Sequence, residues 1–386
     1  MPKNQNSTTL HFWVPNLFEF KGGIQVYLQN VLEALNHELP NTPLTIYNKL
    51  DKTIPNHLLN SNTSYIFCGK KPSSLRTLHY SLNLAIGAIK KHPGLILCGH
   101  LNFAPVAYSI HRLTGIPYWI FVYGTDAWNI KDPIKKNALH SAQKIISISA
   151  YTRDRLIAEQ NLNPNRIFLL PVTFDASRFQ IAQKPKNLLQ KHNLNPEQPI
   201  ILTVTRLSSS DGYKGYDKII QALPKIQQTL PNVHYLIAGQ GDDRPRIEEL
   251  IKNLNLQNYV TLTGFISDEE LPSYYNLCDV FAMPSKGEGF GIVYLEALAS
   301  GKPTLGGNQD GAIDALCNGE LGALIDPDNI NEITQTLTQI LQGKYPHPLI
   351  YQPEKLRQRT LEIFGFQRFQ NTVSQLLSNS PLEVKK

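Results

Sequence analysis

The chain has 386 residues, of which 41% are hydrophobic and 18% are charged. This composition excludes a disordered or low-complexity protein, and the length favours two domains of similar size over a single core. No apolar run reaches the roughly 18 residues that a membrane-spanning helix needs, and the polar start Met-Pro-Lys-Asn-Gln-Asn-Ser argues against a signal peptide.

The net charge of +6 is unevenly distributed along the chain. Residues 1–180 contain 18 Lys and Arg against 9 Asp and Glu, a balance of +9, and the remainder contains 19 against 22, a balance of −3. A basic first half favours an anionic partner, such as a phospholipid surface or a phosphate-bearing acceptor. A solvated surface with chance asymmetry is the alternative. Nucleic acid is not expected, because basic and aromatic residues do not alternate in a recognisable module.

The four cysteines are far apart in the chain and form no CxxC pair: Cys68, Cys98, Cys278 and Cys317. Buried reduced thiols are the simplest interpretation of this pattern. We therefore expect a cytoplasmic protein.

Short apolar runs alternate with amphipathic segments in the first half. Leu10–Val14 predicts a strand, and a helix with an apolar stripe starts after Gly22-Gly23. The other predicted strands here are Tyr65–Cys68, Leu95–Gly99, Tyr118–Val122, Lys144–Ile148 and Ile167–Leu170. A polar stretch between Pro171 and Pro199 indicates a connection between domains.

A second series of predicted strands follows this connection: Ile200–Thr205, Tyr235–Ala238, Val260–Leu262, Val280–Met283, Pro303–Leu305 and Ala323–Ile325. Such runs separated by amphipathic helices predict parallel sheets with helices on both faces. We expect an α/β fold with two Rossmann-like, doubly wound domains that face a cleft, over residues 1–180 and 181–360. A last periodic segment, Phe364–Leu377, predicts a helix within 361–386 that returns to the first domain.

A glycine-rich turn in the second half runs into a predicted helix that stops at Gly301. Glu288 lies in the turn, where glycines let the backbone approach a ligand closely, and Glu296 lies in the second helical turn. The N–H groups of Phe290 and Gly291 would face a nearby negative charge. This arrangement suits a sugar linked to a phosphate, although a surface Glu and a structural helix Glu are the alternative.

Two other turns could hold phosphate groups. Gly22-Gly23 could bring backbone N–H groups to a phosphate, but an ordinary turn would look the same. Arg206 leaves the end of the strand Ile200–Thr205, and the polar loop that follows could fold Lys214 back beside it. Two fixed cations suit a diphosphate leaving group, whereas solvated loop cations are the alternative.

Two further turns carry weaker signals. Gly239-Gln-Gly241-Asp242 could border a ligand or serve packing alone, and Arg244 stands where a dinucleotide fingerprint needs its third glycine. Asp326-Pro-Asp328 resembles a DxD metal motif, but its position between a strand and a helix favours a turn and helix N-cap.

Taken together, these motifs resemble one known family. The pair Arg206 and Lys214-Gly215, the turn 238–242, the run Thr263–Ile266 and the segment 284–303 stand in the order and spacing of the retaining nucleotide-sugar glycosyltransferases of family four, the glycosyl transferases group 1 with the GT-B fold. The resemblance covers most of the chain and is strongest from Ile200 to Asp326.

The resemblance implies a retaining hexosyltransferase that moves a hexose from a nucleotide-diphosphate sugar to a hydroxyl acceptor. A polysaccharide, a glycolipid or a lipid-linked glycan would be the acceptor, and a role in polysaccharide biosynthesis is implied. No cofactor and no metal would be required, because cations and helix dipoles would stabilise the departing diphosphate.

The resemblance also assigns residues to roles. Arg206 and Lys214 would hold the diphosphate, and Glu296 would bind the ribose hydroxyls. Glu288 would hold the transferred sugar. The implied donor-binding residues are Gly23, Arg206, Lys214, Gly264, Phe265, Ile266, Glu288, Gly289, Phe290, Gly291 and Glu296, and the catalytic candidates are Glu288, Arg206, Lys214 and Tyr123.

One turn departs from the family pattern. Members commonly carry His-Gly-x-Asp/Glu in the first domain, where the His lies beside the reacting sugar, and this chain has Val122-Tyr123-Gly124-Thr125-Asp126. A tyrosine hydroxyl can donate to a sugar hydroxyl, but its pKa near 10 makes it a poor base. His100 and Asp126 are candidates on the acceptor side, with a structural histidine as the alternative for His100.

The segment 75–91 predicts an amphipathic helix with one apolar face: Leu75, Leu78, Leu82, Ala85, Ile86 and Ile89. Arg76, Lys90 and Lys91 lie near its ends, so the helix could rest on the anionic inner face of a membrane as a peripheral contact. Packing of the apolar face in the protein core is the interpretation that we prefer.

Two other classes of function stay open. The first is a non-catalytic binder of sugar nucleotides. The presence of the implied donor-binding residues Arg206, Lys214, Glu288 and Glu296 argues against it. The second is a nucleotide-sugar epimerase of similar architecture, which the spacing of Glu288 and Glu296 disfavours.

Overall fold

The computed structural model describes residues 9–19, 22–55, 62–378 and 380. The chain divides into two compact units, one made of Met1–Val172 with Gln367–Lys386 and the other of Thr173–Phe366. Each unit contains one parallel β-sheet, so the predicted α/β class is confirmed. Phe20 and Lys21, next to the predicted Gly22-Gly23 turn, lie outside the described residues.

The first unit is built on a seven-stranded sheet with the strand order β3-β2-β1-β4-β5-β6-β7. Its strands are β1 Leu10–Val14, β2 Leu44–Asn48, β3 Thr63–Phe67, β4 Leu95–Cys98, β5 Tyr118–Val122, β6 Lys144–Ser147 and β7 Ile167–Leu169. Its helices are α1 Gly23–Glu38, α2 Ser73–Lys91, α3 Ala104–Thr114, α4 Pro133–Ser141 and α5 Ala150–Gln160. The interior strand β1 is buried at every position, as expected for a parallel strand covered on both faces.

Strand β2 is the strand that the sequence did not predict. It pairs in parallel with β1 and β3, and all five of its residues are buried. Thr45 and Asn48 interrupt its apolar pattern, and the turn-forming run Pro40–Pro43 precedes it. Its burial therefore depends on the neighbouring strands rather than on its own composition.

The second unit is built on a six-stranded sheet with the order β10-β9-β8-β11-β12-β13. Its strands are β8 Ile200–Val204, β9 His234–Ala238, β10 Val260–Gly264, β11 Val280–Met283, β12 Thr304–Gly307 and β13 Ala323–Ile325. Its helices are α6 Lys186–Lys191, α7 Tyr216–Ile226, α8 Arg244–Asn253, α9 Leu271–Leu277, α10 Ile292–Ala299, α11 Ala312–Ala315, α12 Ile330–Leu341 and α13 Pro353–Phe364. Because β8, β11 and β12 are parallel neighbours, the loops after them meet at one edge of the sheet.

The last helix, α14 (Phe366–Ser378), packs in the first unit. The Phe369 ring stands edge-on to Tyr27 of α1, with 5.8 Å between ring centroids. The Lys144 ammonium of β6 donates to the carbonyl oxygen of Leu376 at 2.7 Å. The segment predicted as one helix from Phe364 is divided, because α13 ends at Phe364 and α14 begins two residues later.

All four cysteines are free thiols, and Cys68, Cys98 and Cys278 are buried. Among the described residues, no helix combines the length and the apolar character needed to cross a membrane.

Candidate active site

An ion pair joins two loops at the carboxyl edge of the second sheet. Lys214 ends a 3-10 helix, Ser209–Lys214, that follows β8, and its ammonium group donates to Glu288 in the loop after β11. The two side chains are only 14% and 18% exposed. The ammonium also lies over the Tyr213 ring, 5.1 Å from its centroid.

Burial of Lys214 disfavours its charged form, but its partners reverse this effect. The charges of Glu288 and Tyr213, with the hydrogen bond to Glu288, raise the pKa of Lys214 above its ordinary value. The ammonium therefore stays charged over the whole neutral range. A weakly hydrated cation in a fixed position can bind an anionic ligand.

Arg206 reaches the same cluster from the end of β8. Its guanidinium lies 2.8 Å from the carboxylate of Asp211 and is 80% exposed. Burial raises the pKa of the Tyr213 phenol; the charges of Lys214 and Arg206 oppose this shift, and those of Glu288 and Asp211 add to it. The structure thus gathers the predicted residues Arg206, Lys214 and Glu288 around one ring.

The turn that carries Glu288 is held by a buried aspartate. Asp310 is fully buried, and its Oδ2 accepts from the Glu288 N–H and from Ser285 Oγ, both at 2.7 Å. Its Oδ1 accepts from the Ala312 N–H at 2.9 Å. Burial raises the pKa of Asp310, and these three hydrogen bonds oppose that shift.

Sequence reasoning missed Asp310. Its position directly after the short strand β12, at the edge where ligands bind parallel sheets, was the available signal.

Close backbone approach keeps the loops after β11 and β12 together. A Cβ at Gly307 would lie 1.9 Å from the carbonyl oxygen of Ser285. A Cβ at Gly311 would lie 2.1 Å from that of Gly289, and the Gly311 N–H donates to the Glu288 carbonyl at 2.8 Å. The two loops are in direct main-chain contact at these two positions, and only glycine fits there because any Cβ would collide with the facing carbonyl oxygen.

The predicted helix after the turn is α10, and it begins after Gly291 as expected. Phe290 is buried, with its ring edge-on to Phe364 at 5.5 Å between centroids. Within the part of the chain that the structure describes, the N–H groups of Phe290 and Gly291 donate to no protein acceptor. They lie at the positive end of α10, which suits an anion or a polar oxygen.

Glu296 projects from α10 into a half-buried setting. Its Oε2 accepts from the Tyr275 hydroxyl at 2.7 Å. Burial raises the pKa of Glu296 to about 7, and the Tyr275 hydrogen bond and the charge of Arg178 oppose this shift. The charge of Asp268, whose carbonyl oxygen accepts from Arg178 at 2.6 Å, adds to it.

The three residues expected to line a base follow one another at the end of β10. The Gly264 carbonyl accepts from the Gly239 N–H at 2.9 Å, and the Phe265 side chain is 71% exposed. Asp268 comes two residues after Ile266 and acts on Glu296 through its charge. The segment 264–266 and Glu296 are therefore neighbours at this edge.

The two weaker motifs of the second half have packing and turn contacts. A Cβ at Gly239 would lie 1.7 Å from the Thr205 carbonyl oxygen, so this glycine permits two strand ends to touch. Asp326 Oδ1 accepts from the Asp328 N–H at 3.0 Å, and Asp328 pairs with Lys286 at 2.7 Å. Helix α12 is capped by Asn329 rather than by an aspartate.

In the first unit, the Tyr123 hydroxyl is hydrogen-bonded to the protein backbone. The group donates to the Gly99 carbonyl at 2.9 Å, and the residue is only 8% exposed. The ring stands edge-on to Tyr27, and burial raises the pKa of Tyr123 well above its usual value. This contact differs from the sugar contact that the sequence suggested.

His100 lies beside Tyr123, with 6.2 Å between ring centroids. Its Nδ1 accepts from the Asn102 N–H at 3.1 Å, so the proton of the neutral ring is on Nε2. Burial lowers the pKa of His100 to about 4, and the charges of Lys135 and Lys49 act in the same direction. His100 is therefore a neutral hydrogen-bond donor at pH 7.

Asp126 has an unusual environment for a carboxylate. Its Oδ1 accepts from the Tyr123 N–H at 2.9 Å, whereas its Oδ2 is buried and, among the described residues, has no hydrogen-bond partner. Burial raises the pKa of Asp126 to about 7, against the hydrogen bonds from nearby backbone N–H groups.

Gly23 begins α1 after a loop that a buried aspartate holds. The Asp51 carboxylate is fully buried and accepts from the N–H groups of Leu17, Phe18 and Glu19 at 2.6, 2.9 and 2.9 Å. Sequence reasoning missed Asp51. Gly23 itself is exposed, and a Cβ there would meet no atom within 4 Å.

Comparison with solved structures defines the class of fold. The Anabaena protein HepE, in a complex with UDP, matches with a TM-score of 0.76 and 19% sequence identity over 96% of this chain and 100% of that chain. Sucrose-phosphate synthase from Thermosynechococcus elongatus matches with a TM-score of 0.77 and 20% identity over 96% of this chain and 98% of that one. The chain therefore has the GT-B glycosyltransferase fold.

Comparison of sequences adds a match within the second unit. Residues 185–360 match the family model described as glycosyl transferases group 1. A GDP-mannose-dependent α-(1-6)-phosphatidylinositol monomannoside mannosyltransferase from Mycolicibacterium smegmatis is 29% identical over 221 residues, 54% of this chain and 56% of the relative. The α-D-kanosaminyltransferase of Streptomyces kanamyceticus is 25% identical over 250 residues, 61% and 64% of the two chains. The chain thus matches only about half the length of the mannosyltransferase.

Proposed function

We propose that this protein is a retaining hexosyltransferase of family four, which moves a hexose from a nucleotide-diphosphate sugar to a hydroxyl acceptor. The observation that carries the proposal is the Lys214–Glu288 ion pair, held on Asp310 at the carboxyl edge of the second sheet. The family match of residues 185–360 and the transferase activities in the names of its relatives support it.

In the proposed donor complex, the cations act on the leaving group. Lys214 and Arg206 bind the diphosphate and stabilise the negative charge that grows on it as the sugar bond breaks. Glu288 accepts hydrogen bonds from the sugar hydroxyls. The N–H groups of Phe290 and Gly291 at the start of α10 add positive potential without a change in protonation. We propose that no metal is needed.

The other residues that we propose for donor binding in the second unit lie along the same carboxyl edge of the sheet. Glu296, as a carboxylate, accepts from the two ribose hydroxyls, and Gly264, Phe265 and Ile266 line the base. Gly289 contributes main chain to the sugar pocket. In the first unit we assign Gly23 to the diphosphate, because its backbone is exposed and no side chain covers it.

The first unit would supply the acceptor side. His100 is neutral and carries its proton on Nε2, so we assign it as a donor to a sugar hydroxyl rather than as a base. Tyr123 positions this segment through its hydrogen bond to Gly99. Asp126 is the acceptor-side carboxylate, and its raised pKa suits proton transfer near neutral pH.

Retention requires attack on the face from which the diphosphate leaves. A leaving phosphate oxygen would take the acceptor proton while an oxocarbenium-like sugar forms, so a strong protein base is unnecessary. A polysaccharide, a glycolipid or a lipid-linked glycan is the proposed acceptor, which suits a role in polysaccharide biosynthesis. The relative that acts on a phosphatidylinositol mannoside favours a lipid-linked one. The buried free thiols fit a cytoplasmic location.

A panel of labelled GDP- and UDP-hexoses tests the proposal. We expect one donor to be hydrolysed slowly, with release of the free sugar in its original anomeric configuration when NMR follows the reaction. Lys214→Met should abolish this signal. A stereoisomeric nucleotide sugar as product would indicate an epimerase, and binding without turnover would indicate a non-catalytic binder. The names of the relatives favour neither.

A further inference from the structure

Helix α2 turns its apolar face away from the core. Five side chains on it are about half exposed or more, namely Leu75 58%, Leu78 61%, Leu82 51%, Ile86 50% and Ile89 47%. At 100° per residue they fall within about 80° of the helix circumference. The opposite side carries the buried residues Tyr80, Leu84 and Ala88. The preferred interpretation from the sequence, in which the apolar face packs in the core, is therefore wrong.

The concentration of these side chains on one helix is unusual. Eight large hydrophobic residues are exposed among the residues that the structure describes, and five of them are on α2. Single exposed leucines are common on protein surfaces, but a contiguous apolar stripe marks a surface that another body covers. We call these five residues the α2 stripe.

The charged residues in the sequence around α2 all have one sign. Between Asp51 and Asp126 the sequence contains no acidic residue, and it contains seven basic ones: Lys52, Lys70, Lys71, Arg76, Lys90, Lys91 and Arg112. Lys70 and Lys71 are exposed just before the helix, and Lys90 is exposed at its end, about 80° around the helix from the stripe's centre. The stripe thus has cations at both ends and no carboxylate on its own helix.

We propose that the α2 stripe docks this protein on an anionic lipid surface. The helix would lie in the interface plane, with its leucines and isoleucines among the acyl chains and its lysines at the headgroups. Charge complementarity selects this occupant, because a second copy of the chain would bring Lys70, Lys71 and Lys90 against like charges. The proposal does not depend on the transferase activity proposed above.

Sedimentation with vesicles tests the proposal. We expect the protein to bind phosphatidylcholine vesicles that contain about one third phosphatidylglycerol, and to bind pure phosphatidylcholine much less. High salt should weaken the binding, because it screens the lysines. The double variant Leu78→Ser with Leu82→Ser, which leaves the charge unchanged, should lower the affinity about tenfold or more. Ile134→Ser, which removes one exposed aliphatic side chain in the first unit but outside α2, is the matched control and should bind normally.

A second variant separates charge from apolar contact. Lys70→Gln with Lys71→Gln should reduce binding to anionic vesicles and leave the weak binding to neutral vesicles unchanged. Circular dichroism and the melting temperature should match those of the wild type in both double variants, because only exposed side chains change. Absence of binding to anionic vesicles, or equal binding by the serine variant, would overturn the proposal. The proposal would also be overturned if the protein does not bind vesicles but forms a dimer that the serine substitutions convert to a monomer.

Discussion

The ammonium group of Lys214 and the carboxylate of Glu288 are paired, although both side chains are mostly removed from solvent. The pair connects the loop after β8 with the loop after β11, and Asp310 fixes the backbone of Glu288 from the other side. In the proposed mechanism, both members of the pair bind the donor. The ion pair therefore holds the Lys214 ammonium and the Glu288 carboxylate in place before the donor binds.

Removal of one member of this pair should cost both stability and activity. Lys214→Met or Glu288→Gln leaves a poorly solvated charge or polar group, so we expect each to lower the free energy of unfolding by about 2 to 3 kcal/mol. Donor hydrolysis should fall at least about 100-fold. Urea unfolding and the hydrolysis assay measure the two effects separately.

The double variant Lys214→Met with Glu288→Gln is the control for this pair. It should regain most of the lost stability and none of the activity, because it removes both charges together. A double variant whose losses in stability simply add would show that the two groups do not interact. Near-normal hydrolysis in either single variant would show that the donor site is elsewhere.

Asp310→Asn should loosen the turn that carries Glu288. The amide cannot accept all three of the present hydrogen bonds in the same geometry, so we expect a loss of about 1 to 3 kcal/mol in stability. The KM for the donor should rise while the melting transition stays cooperative. Asp242→Asn changes an exposed carboxylate that accepts from Ser209, and it should leave stability close to that of the wild type. Equal effects of the two variants would argue against a special role of Asp310.

Glu296 should make stability fall as pH rises. Burial raises its pKa in the folded protein to about 7 from an ordinary value of 4.5, so between these values the folded state holds a proton that the unfolded state has lost. The wild type should therefore lose about 3 kcal/mol from this group as pH passes from about 4.5 to about 7. Glu296→Gln should remove that loss.

The comparison between wild type and Glu296→Gln isolates this effect. Burial lowers the pKa of His11 to about 3 and that of His234 to about 4, and these groups act in the opposite sense, since their contribution is lost as pH falls. Urea unfolding at several pH values, with the exposed Glu249→Gln as a control, measures the difference. A difference that does not change with pH would contradict the raised pKa of Glu296.

Tyr123→Phe should affect stability more than transfer. It removes the hydrogen bond to Gly99 and leaves the edge-on contact with Tyr27, so we expect a loss of about 1 kcal/mol. The kcat should change by less than about threefold. A large fall in kcat with unchanged KM would instead restore the catalytic role that the sequence suggested for this hydroxyl.

The strands of both sheets other than β2 could be predicted because buried parallel strands are short apolar runs between polar turns. Val280–Met283 and Ala323–Ile325 have the bounds that the sequence gives them. Strand β2 was missed because Thr45 and Asn48 are buried only through their neighbours in the sheet. A pattern within one segment carries no information about the polar groups that another segment will cover.

The site residues divide in a similar way. Glu288 and Lys214 lie in motifs with a recognisable spacing, so their loops could be assigned from the chain alone. Asp310 and Asp51 could not, because Asp310 holds Glu288 from 22 residues away in sequence, and Asp51 accepts from N–H groups that are 32 to 34 residues away. The outward direction of the α2 stripe was missed for a related reason: periodicity shows that a helix has two faces, not which one meets the core.

The main-chain contacts at Gly307 and Gly311 have a consequence for how this site can vary. The main chains of the two loops touch at both positions, with no side chain between them to be enlarged or trimmed. Substitutions in the surrounding core would shift both loops as one body and leave their spacing unchanged. The shape of the proposed sugar pocket should therefore be insensitive to substitutions in the hydrophobic core, and a single methyl group at either glycine should be enough to disrupt it.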